Sequence, residues 1–301
     1  MYDRFAFGQD GHFFCKKEGE NLNQNWIVEN LNNAFSTWNG KLGELWGLVT
    51  TGPQTFKGGA VWSVMQTLHN GMVGIGYALV VLFFAISLCK NTMNFHELKR
   101  PEAAIHYFLR FVAAKALVGY GMDIMLNIFS ICNGIVTDMA NSMGGISEAM
   151  VSLPAEMQTA IENVGFLASI PLWLVTILGS LFITVLSFVM ILTVYGRFFR
   201  LYMYTALAPL PLASFAGEST QSVGISFIKS YVGVCLEGAV IVLACVIYAA
   251  FVSTPTVSGG EATTMVWSYL TEIIFNMLVL VGLIKGSDRI IHEMMGLSLI
   301  H

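Results

Sequence analysis

The sequence predicts an all-α, polytopic membrane protein with about five transmembrane helices. Hydrophobic residues make up 55% of the 301 residues and charged residues only 11%, whereas soluble domains carry about 25% charged residues. The apolar residues are concentrated in stretches of the length that a hydrocarbon core about 30 Å thick requires. Polar connections separate these stretches, so burial in a soluble core does not explain the composition.

Residues 1–60 are predicted to form an extracytoplasmic N-terminal region, and residues 61–301 the transmembrane domain. From Trp26 to Val49, apolar residues recur at helical spacing and polar residues, many of them Asn, fill the other side. This pattern predicts an amphipathic helix. Two placements fit it: on the membrane surface, anchored by its tryptophans, or against a neighbouring subunit. No basic start followed by an apolar segment is present in the first 25 residues, so we expect no cleaved signal peptide.

Five apolar stretches are the predicted spans. They cover about 61–89, 111–135, 170–195, 230–252 and 265–284. The second is the least regular, because the apolar stretch around it runs from about 103 to 139 and contains Arg110, Lys115 and Asp123. We expect the first turns of this stretch to lie along the cytoplasmic interface, with the crossing proper at 111–135.

A proline-containing segment follows the third span. Pro209 and Pro211 lie two residues apart in an otherwise apolar sequence, and proline prevents a regular helix through such a point. Because irregular backbone cannot face lipid, this segment is predicted to be a re-entrant or interfacial piece buried in protein.

The basic residues predict the orientation, because Lys and Arg are enriched in short cytoplasmic loops. The connections at 140–165 and 253–264 contain neither Lys nor Arg. The connections at 90–100 and 197–230 and the C-terminal tail do: Lys90, Lys99, Arg100, Arg197, Arg200, Lys229, Lys285 and Arg289. Basic and non-basic connections alternate, which predicts an N-terminus outside and a C-terminus in the cytoplasm.

Ionisable residues inside spans are costly and indicate a pathway or a pair between helices. Lys115 and Glu237 fall at similar predicted depth, and we expect them to pair within one subunit or between subunits. Two further pairs of polar residues lie one helical turn apart and face either a polar cavity or another helix: Asp123 with Asn127, and Glu272 with Asn276.

Small residues at close spacing predict tight helix packing. Gly74 and Ala78 form such a pair in the first span, and Gly282 and Gly286 form a second pair at the end of the fifth.

No motif predicts an enzyme. The sequence contains no P-loop, HExxH or GxSxG, and its histidines have no partner at metal-ligand spacing. The five cysteines form no CxxC pair. We therefore expect no catalytic residues, no metal and no cofactor, although the composition is compatible with a structural lipid. No dense basic patch predicts direct nucleic-acid binding.

Two segments resemble a known family. They are KRPEAAIHYFLRFVAAKALVGYGMDIMLNIF at 99–129 and RFFRLYMYTALAPLPLASFAGE at 197–218. Together with the five-span plan, they are similar to the TrbL-like inner-membrane subunit of type IV secretion (conjugative transfer) systems, in the form found in mobile elements of Gram-positive bacteria. The resemblance covers most of residues 60–290, and the first 60 residues add little to it.

The resemblance implies a non-catalytic channel or scaffold subunit in the cytoplasmic membrane. Such a subunit helps move a DNA–protein substrate out of the cell and depends on ATPases formed by other chains. It also implies a ring of identical copies, with five as the expected number, in contact with other secretion subunits, membrane lipid and, transiently, the substrate.

Two other functions are compatible with a polytopic membrane protein. A self-contained small-solute channel or transporter is the main alternative, but transporters usually show internal repeats with paired broken helices. Only one clear break and no repeat are visible in this sequence. An intramembrane enzyme is disfavoured by the missing motifs.

Overall fold

The computed structural model describes residues 18–92, 101–142, 150–251 and 262–296, and every secondary-structure element within them is helical. The helices are α1 (Glu18–Thr50), α2 (Ala60–Thr92), α3 (Pro101–Gly119), α4 (Gly121–Ser142), α5 (Ala155–Glu162), α6 (Phe166–Leu207), α7 (Pro209–Leu212), α8 (Gln221–Phe251) and α9 (Ala262–Met294). Single 3₁₀ turns, Phe56–Gly59 and Ala213–Ala216, precede α2 and follow α7.

The predicted class, an all-α polytopic membrane protein, is confirmed. Within the described residues, α2, α6, α8 and α9 are long and apolar enough to cross a membrane, and α3 with α4 adds a fifth crossing if the bent pair counts as one span. The basic connection predicted at 90–100 and the connection predicted at 253–264 lie mostly outside the described residues. The orientation therefore stays a prediction.

Helix α1 packs lengthwise on α6 of the same chain, and the two helices run parallel. Successive α1 positions contact successive α6 positions: Trp26 with Trp173, Asn30 with Ser180, and Glu44 with Tyr195. The apolar side of α1 is fully covered, with Leu31, Trp38, Leu42, Leu45 and Val49 all at 0% exposure. Neither predicted placement is correct, because the chain's own α6 occupies the face that was assigned to the membrane surface or to a neighbouring subunit.

The second predicted span is not one straight helix. It breaks at Tyr120, where α3 and α4 meet at 72°. Glycines flank the break, and each is closely approached: a Cβ on Gly119 would lie 2.8 Å from the Tyr77 hydroxyl, and one on Gly121 would lie 3.2 Å from Leu212. Sharp kinks commonly occur at glycine, and here close packing against α2 and α7 requires it. The span predicted at 111–135 is therefore bent at Tyr120, and its crossing of the membrane stays a prediction.

Helix α6 is longer than the predicted span 170–195. Its 42 residues correspond to about 63 Å at 1.5 Å per residue, twice the thickness of the hydrocarbon core. Arg197 and Arg200 were assigned to a cytoplasmic connection, but both belong to this continuous helix. Their charges are held inside the fold, so they give weaker support to the predicted orientation.

The regular hydrogen bonding of α6 stops at Ala208, directly before Pro209, although the backbone angles of Ala208 stay helical. Helix α6 ends at Leu207, and the following short α7 and 3₁₀ turn form a corner with buried residues Pro209, Leu212, Ala213, Ser214 and Ala216. The corner packs between α2 and α3 and touches α8. Its backbone angles are helical at Ala208, Leu212 and Ala213 and become extended at Gly217, so the re-entrant or interfacial placement stays a prediction.

A polar contact after this corner joins α3 to the start of α8. The Arg110 guanidinium donates a 3.1 Å hydrogen bond to the Gln221 side-chain oxygen and lies 3.8 Å from the Glu218 carboxylate. Arg110 is therefore bound to protein in addition to any contact with lipid headgroups.

Gly76 allows α2 to approach the corner closely, which gives a test of the packing. A Cβ on Gly76 would lie 2.9 Å from Val118 and 3.0 Å from the Pro209 carbonyl oxygen, whereas a Cβ on Gly74 would meet nothing within 4 Å. We expect Gly76→Ala to lower the stability of the purified chain by about 1–3 kcal/mol through overpacking. The matched Gly74→Ala is expected to be neutral or to stabilise by up to about 1 kcal/mol. Thermal unfolding in mild detergent measures both, and equal melting temperatures would contradict this packing.

Candidate functional site

A buried arginine joins three helices. Arg197 is 0% exposed. Its guanidinium donates hydrogen bonds to the carbonyl oxygens of Val49 in α1 (3.3 Å), Val234 in α8 (3.2 Å) and Cys235 in α8 (3.0 Å). Arginine suits this position because its planar fork offers five donors in fixed directions. Gly238 makes room for it, since a Cβ there would lie 2.8 Å from the guanidinium.

The same arginine completes the C-terminal cap of α1. The last four carbonyls of a helix have no partner within the helix. Two of those in α1 are satisfied by Thr51, through its hydroxyl to Gly47 (2.8 Å) and its backbone N–H to Leu48 (3.1 Å). Arg197 donates a hydrogen bond to the Val49 carbonyl, and the side-chain amide of Asn133 in α4 donates one to the Thr50 carbonyl (3.1 Å). Donors from α6 and α4 therefore allow α1 to end inside the protein.

A second arginine, one turn further along α6, forms an ion network. The Arg200 guanidinium donates to both carboxylate oxygens of Glu237, at 2.8 and 2.7 Å, and is also paired with Asp288. The Ser287 hydroxyl donates to Glu237 at 3.1 Å, and His292 lies 3.5 Å from Asp288. This network ties α6, α8 and α9 together.

The predicted pair of Lys115 with Glu237 is wrong within the subunit. Glu237 is 1% exposed and both of its oxygens are bound by Arg200, while Lys115 is exposed on α3. Pairing of Lys115 with Glu237 between subunits stays a prediction. The sequence did contain a signal for the true partner: Arg197 and Arg200 are three residues apart, which places both on one side of a helix.

Asp123 and Asn127 both lie on an exposed side of α4. The opposite side of this helix is buried, through Met125, Phe129, Cys132, Val136 and Ala140. The exposed side continues as one row at helical spacing, here called the α4 stripe: Asp123, Asn127, Ser130, Gly134, Asp138 and Asn141. Two exposed isoleucines, Ile131 and Ile135, lie beside this row.

Helix α1 has a similar exposed row. The row consists of polar residues followed by glycines, here called the α1 stripe: Glu29, Asn32, Asn33, Ser36, Gly40, Gly43 and Gly47. The half-buried ion pair of Lys41 and Glu44, at 2.7 Å, lies beside it. The amphipathic character of α1 was predicted from the sequence. That its polar side stays exposed while its apolar side packs along α6 was not.

Glu272 and Asn276 of α9 do not share one environment. Glu272 is exposed in a shallow recess with Trp267 and Phe275, whereas Asn276 is 7% exposed and belongs to the protein interior. The sequence predicts a shared environment because the two residues are one helical turn apart. In the structure, Asn276 lies on the side of α9 that faces the protein interior, and Glu272 lies on the exposed side.

The predicted packing glycines make no close contact with the part of the chain that the structure describes. A Cβ on Gly74, Gly282 or Gly286 would meet no atom within 4 Å, and Ala78 is exposed. Packing of these residues against another copy stays a prediction. The close intrachain contact in α2 occurs at Gly76 instead.

The described residues contain no group of three or more His, Cys, Asp or Glu side chains that could hold a metal ion. Their buried charges connect helices rather than converge on a cavity. Fold and site together define a polytopic helical membrane protein with an internal ion network.

The chain belongs to the family described as TrbL/VirB6 plasmid conjugal transfer like protein, which matches residues 38–209, more than half of the sequence. It is therefore a multi-pass membrane component of a conjugal transfer system, as the resemblance of its sequence implied. The match begins inside α1 and ends at Pro209, so it takes in half of the amphipathic helix and stops before α8. No curated protein and no solved structure matches the chain.

Removal of the buried guanidinium tests its role at the end of α1. Arg197→Met leaves the Val49 carbonyl without a partner and breaks two bonds to α8, so we expect a loss of at least about 3 kcal/mol of stability. Arg289→Met, at an arginine whose side chain is 76% exposed, is the matched control and is expected to have little effect. Melting temperatures and the monodisperse fraction in detergent measure the difference, and a variant as stable as the control would exclude this role.

A double-mutant cycle tests the network of Arg200. Glu237→Leu leaves the arginine without its buried partner, and we expect a loss of about 3 kcal/mol. Replacing both Arg200 and Glu237 with leucine is expected to recover much of that loss. The exposed pair of Arg289 with Glu293 is the control cycle, with an expected coupling below about 1 kcal/mol. Equal coupling in the two cycles would show that the Arg200 pair contributes no more than a surface pair.

Proposed function

We propose that this chain is a non-catalytic channel or scaffold subunit of a conjugative type IV secretion machine in the cytoplasmic membrane. It helps move a DNA–protein substrate across that membrane, and ATPases on separate chains power the movement. Membership of the conjugal transfer family supports this assignment most strongly. The ion network supports the scaffold part, because it fixes α6, α8 and α9 to one another.

The surface of α6 supports assembly into a ring of identical copies, with five as the expected number. Large apolar side chains are exposed along this helix from Ile170 to Leu207, a length of about 55 Å at 1.5 Å per residue. The hydrocarbon core covers only about 30 Å. A second protein surface, such as another copy of the chain, would cover the remainder.

The small-solute alternative requires polar groups that converge on a binding site near the membrane midplane. In the described part of the chain, the buried charges Arg197 and Glu237 are bound to protein partners instead. This observation favours the scaffold over the transporter.

Deletion of the gene from the mobile element that carries it tests the function. We expect transfer to recipient cells to fall to the limit of detection, while nicking of the element's DNA by its relaxase continues. That combination separates a role in translocation from a role in DNA processing. Expression of the intact chain in trans is the control and is expected to restore transfer. Undiminished transfer in the deletion strain would reject the proposal.

Mass measurement of the detergent-purified chain tests the ring. A homo-oligomer supports a channel or scaffold subunit. A monomer that binds a small solute would favour the transporter instead.

A further inference from the structure

We propose that α1 crosses the membrane beside α6, and that the exposed stripes of α1 and α4 line a water-filled passage between copies of this chain. The proposal rests on the proposed function and identifies which surface of the subunit would face the transported substrate.

The depth of α1 follows from its contacts with α6. The parallel contact begins where Trp26 packs against Trp173. It ends just beyond α1, where the Tyr202 hydroxyl donates a 2.8 Å hydrogen bond to the Pro53 carbonyl. Between these limits lies the most apolar part of α6, a helix long and apolar enough to span the membrane. The 25 residues from Trp26 to Thr50 extend about 37 Å, which exceeds the hydrocarbon thickness of about 30 Å. A membrane placed around this part of α6 therefore also contains α1.

At the same depth, these two helices expose opposite kinds of surface. The exposed side of α6 carries Leu178, Phe182, Val185 and other large apolar residues. From Leu31 to Thr50, α1 exposes no large apolar side chain; its uncovered residues are those of the α1 stripe. Polar side chains cannot face hydrocarbon without a partner, and among the described residues no side-chain hydrogen bond joins this stripe to another helix. Water is the solvent that satisfies them.

Helix α4 extends this surface. It touches the end of α1 through the hydrogen bond of Asn133 to the Thr50 carbonyl, and it packs along α8, where the Tyr231 hydroxyl donates to the Met125 carbonyl at 2.9 Å. Its uncovered side carries the α4 stripe, with the exposed Ile131 and Ile135 beside it. Neither α1 nor α4 is by itself apolar enough to be a candidate span, whereas α2, α6, α8 and α9 are. Helices α1 and α4, which touch each other, are thus the two suited to line a water-filled space.

The charge of the stripes indicates what such a passage would admit. Their ionisable side chains are Glu29, Asp123 and Asp138, all acidic, and the neighbouring Lys41 is paired with Glu44. An acidic wall repels phosphate rather than binding it. A polar chain or a DNA strand would therefore pass without being held by the lining.

Cysteine accessibility in the assembled machine tests the proposal. Cys15 and Cys89 are replaced by serine, and single cysteines are introduced by Ser36→Cys in the α1 stripe and Ser130→Cys in the α4 stripe. Val185→Cys, on the exposed apolar side of α6 at the depth of Ser36, is the matched control. Membrane vesicles of both orientations are treated with the membrane-impermeant reagent sulfonatoethyl methanethiosulfonate, and reaction rates are compared with those of N-ethylmaleimide, which enters lipid.

We expect both stripe cysteines to react with the sulfonate reagent at least about tenfold faster than the Val185 position, because only a hydrated thiolate reacts well. Modification of the stripe cysteines is also expected to reduce conjugative transfer, while the reagent leaves transfer by the parent with serine at positions 15 and 89 unchanged. Rates at or below the control, with N-ethylmaleimide still reacting, would overturn the proposal.

This result is separable from the test of the proposed function. If deletion of the gene abolishes transfer but the stripe cysteines behave like the lipid-facing control, the chain is a secretion subunit whose passage lies elsewhere, and the inference fails alone. If the stripes react rapidly but deletion leaves transfer unchanged, the proposed function fails although the stripes face water.

Discussion

The buried end of α1 is the constraint on which the rest of this fold depends. A helix that ends inside a protein presents carbonyl oxygens that have no internal partner, and each costs free energy if it stays unpaired. The chain meets this requirement with Arg197 of α6 and Asn133 of α4. Because these donors come from other helices, the position of α1 fixes the mutual positions of α4 and α6. The remaining bonds of Arg197 then add α8 to the same cluster.

Full burial of a guanidinium would be unfavourable without such bonds, since desolvation of a charge costs several kcal/mol. Its three carbonyl partners stabilise the charge locally, and the neighbouring pair of Arg200 with Glu237 supplies the balancing carboxylate one helical turn away. Side-chain hydrogen bonds and ion pairs therefore hold the centre of a protein whose outer surface is largely apolar. Association of helices in lipid cannot rely on the hydrophobic effect alone, and this network provides an alternative.

The helices fall into two groups with different outer surfaces. Four are apolar enough to face lipid, whereas α1 and α4 keep polar residues uncovered while their apolar sides pack inward. In a solitary subunit within a bilayer, the uncovered polar rows would be unfavourable. The proposed assembly of several copies around a hydrated space would remove that conflict and would also cover the excess length of the apolar side of α6. This physical requirement agrees with a conjugal transfer family whose members act within larger machines.

The sequence by itself determined the class of the protein, the presence of several helices apolar enough to cross a membrane, and its family. These features follow from local composition, which does not depend on the neighbours of a residue. The amphipathic pattern of α1 was also visible, but the surface that covers it was not, because periodicity reveals a buried side without identifying its partner. Only the tertiary structure decided that α6 covers α1, that Arg200 rather than Lys115 neutralises Glu237, and that α3 and α4 meet at a bend. Each of these depends on side chains far apart in sequence, whose meeting is set by the packing of whole helices.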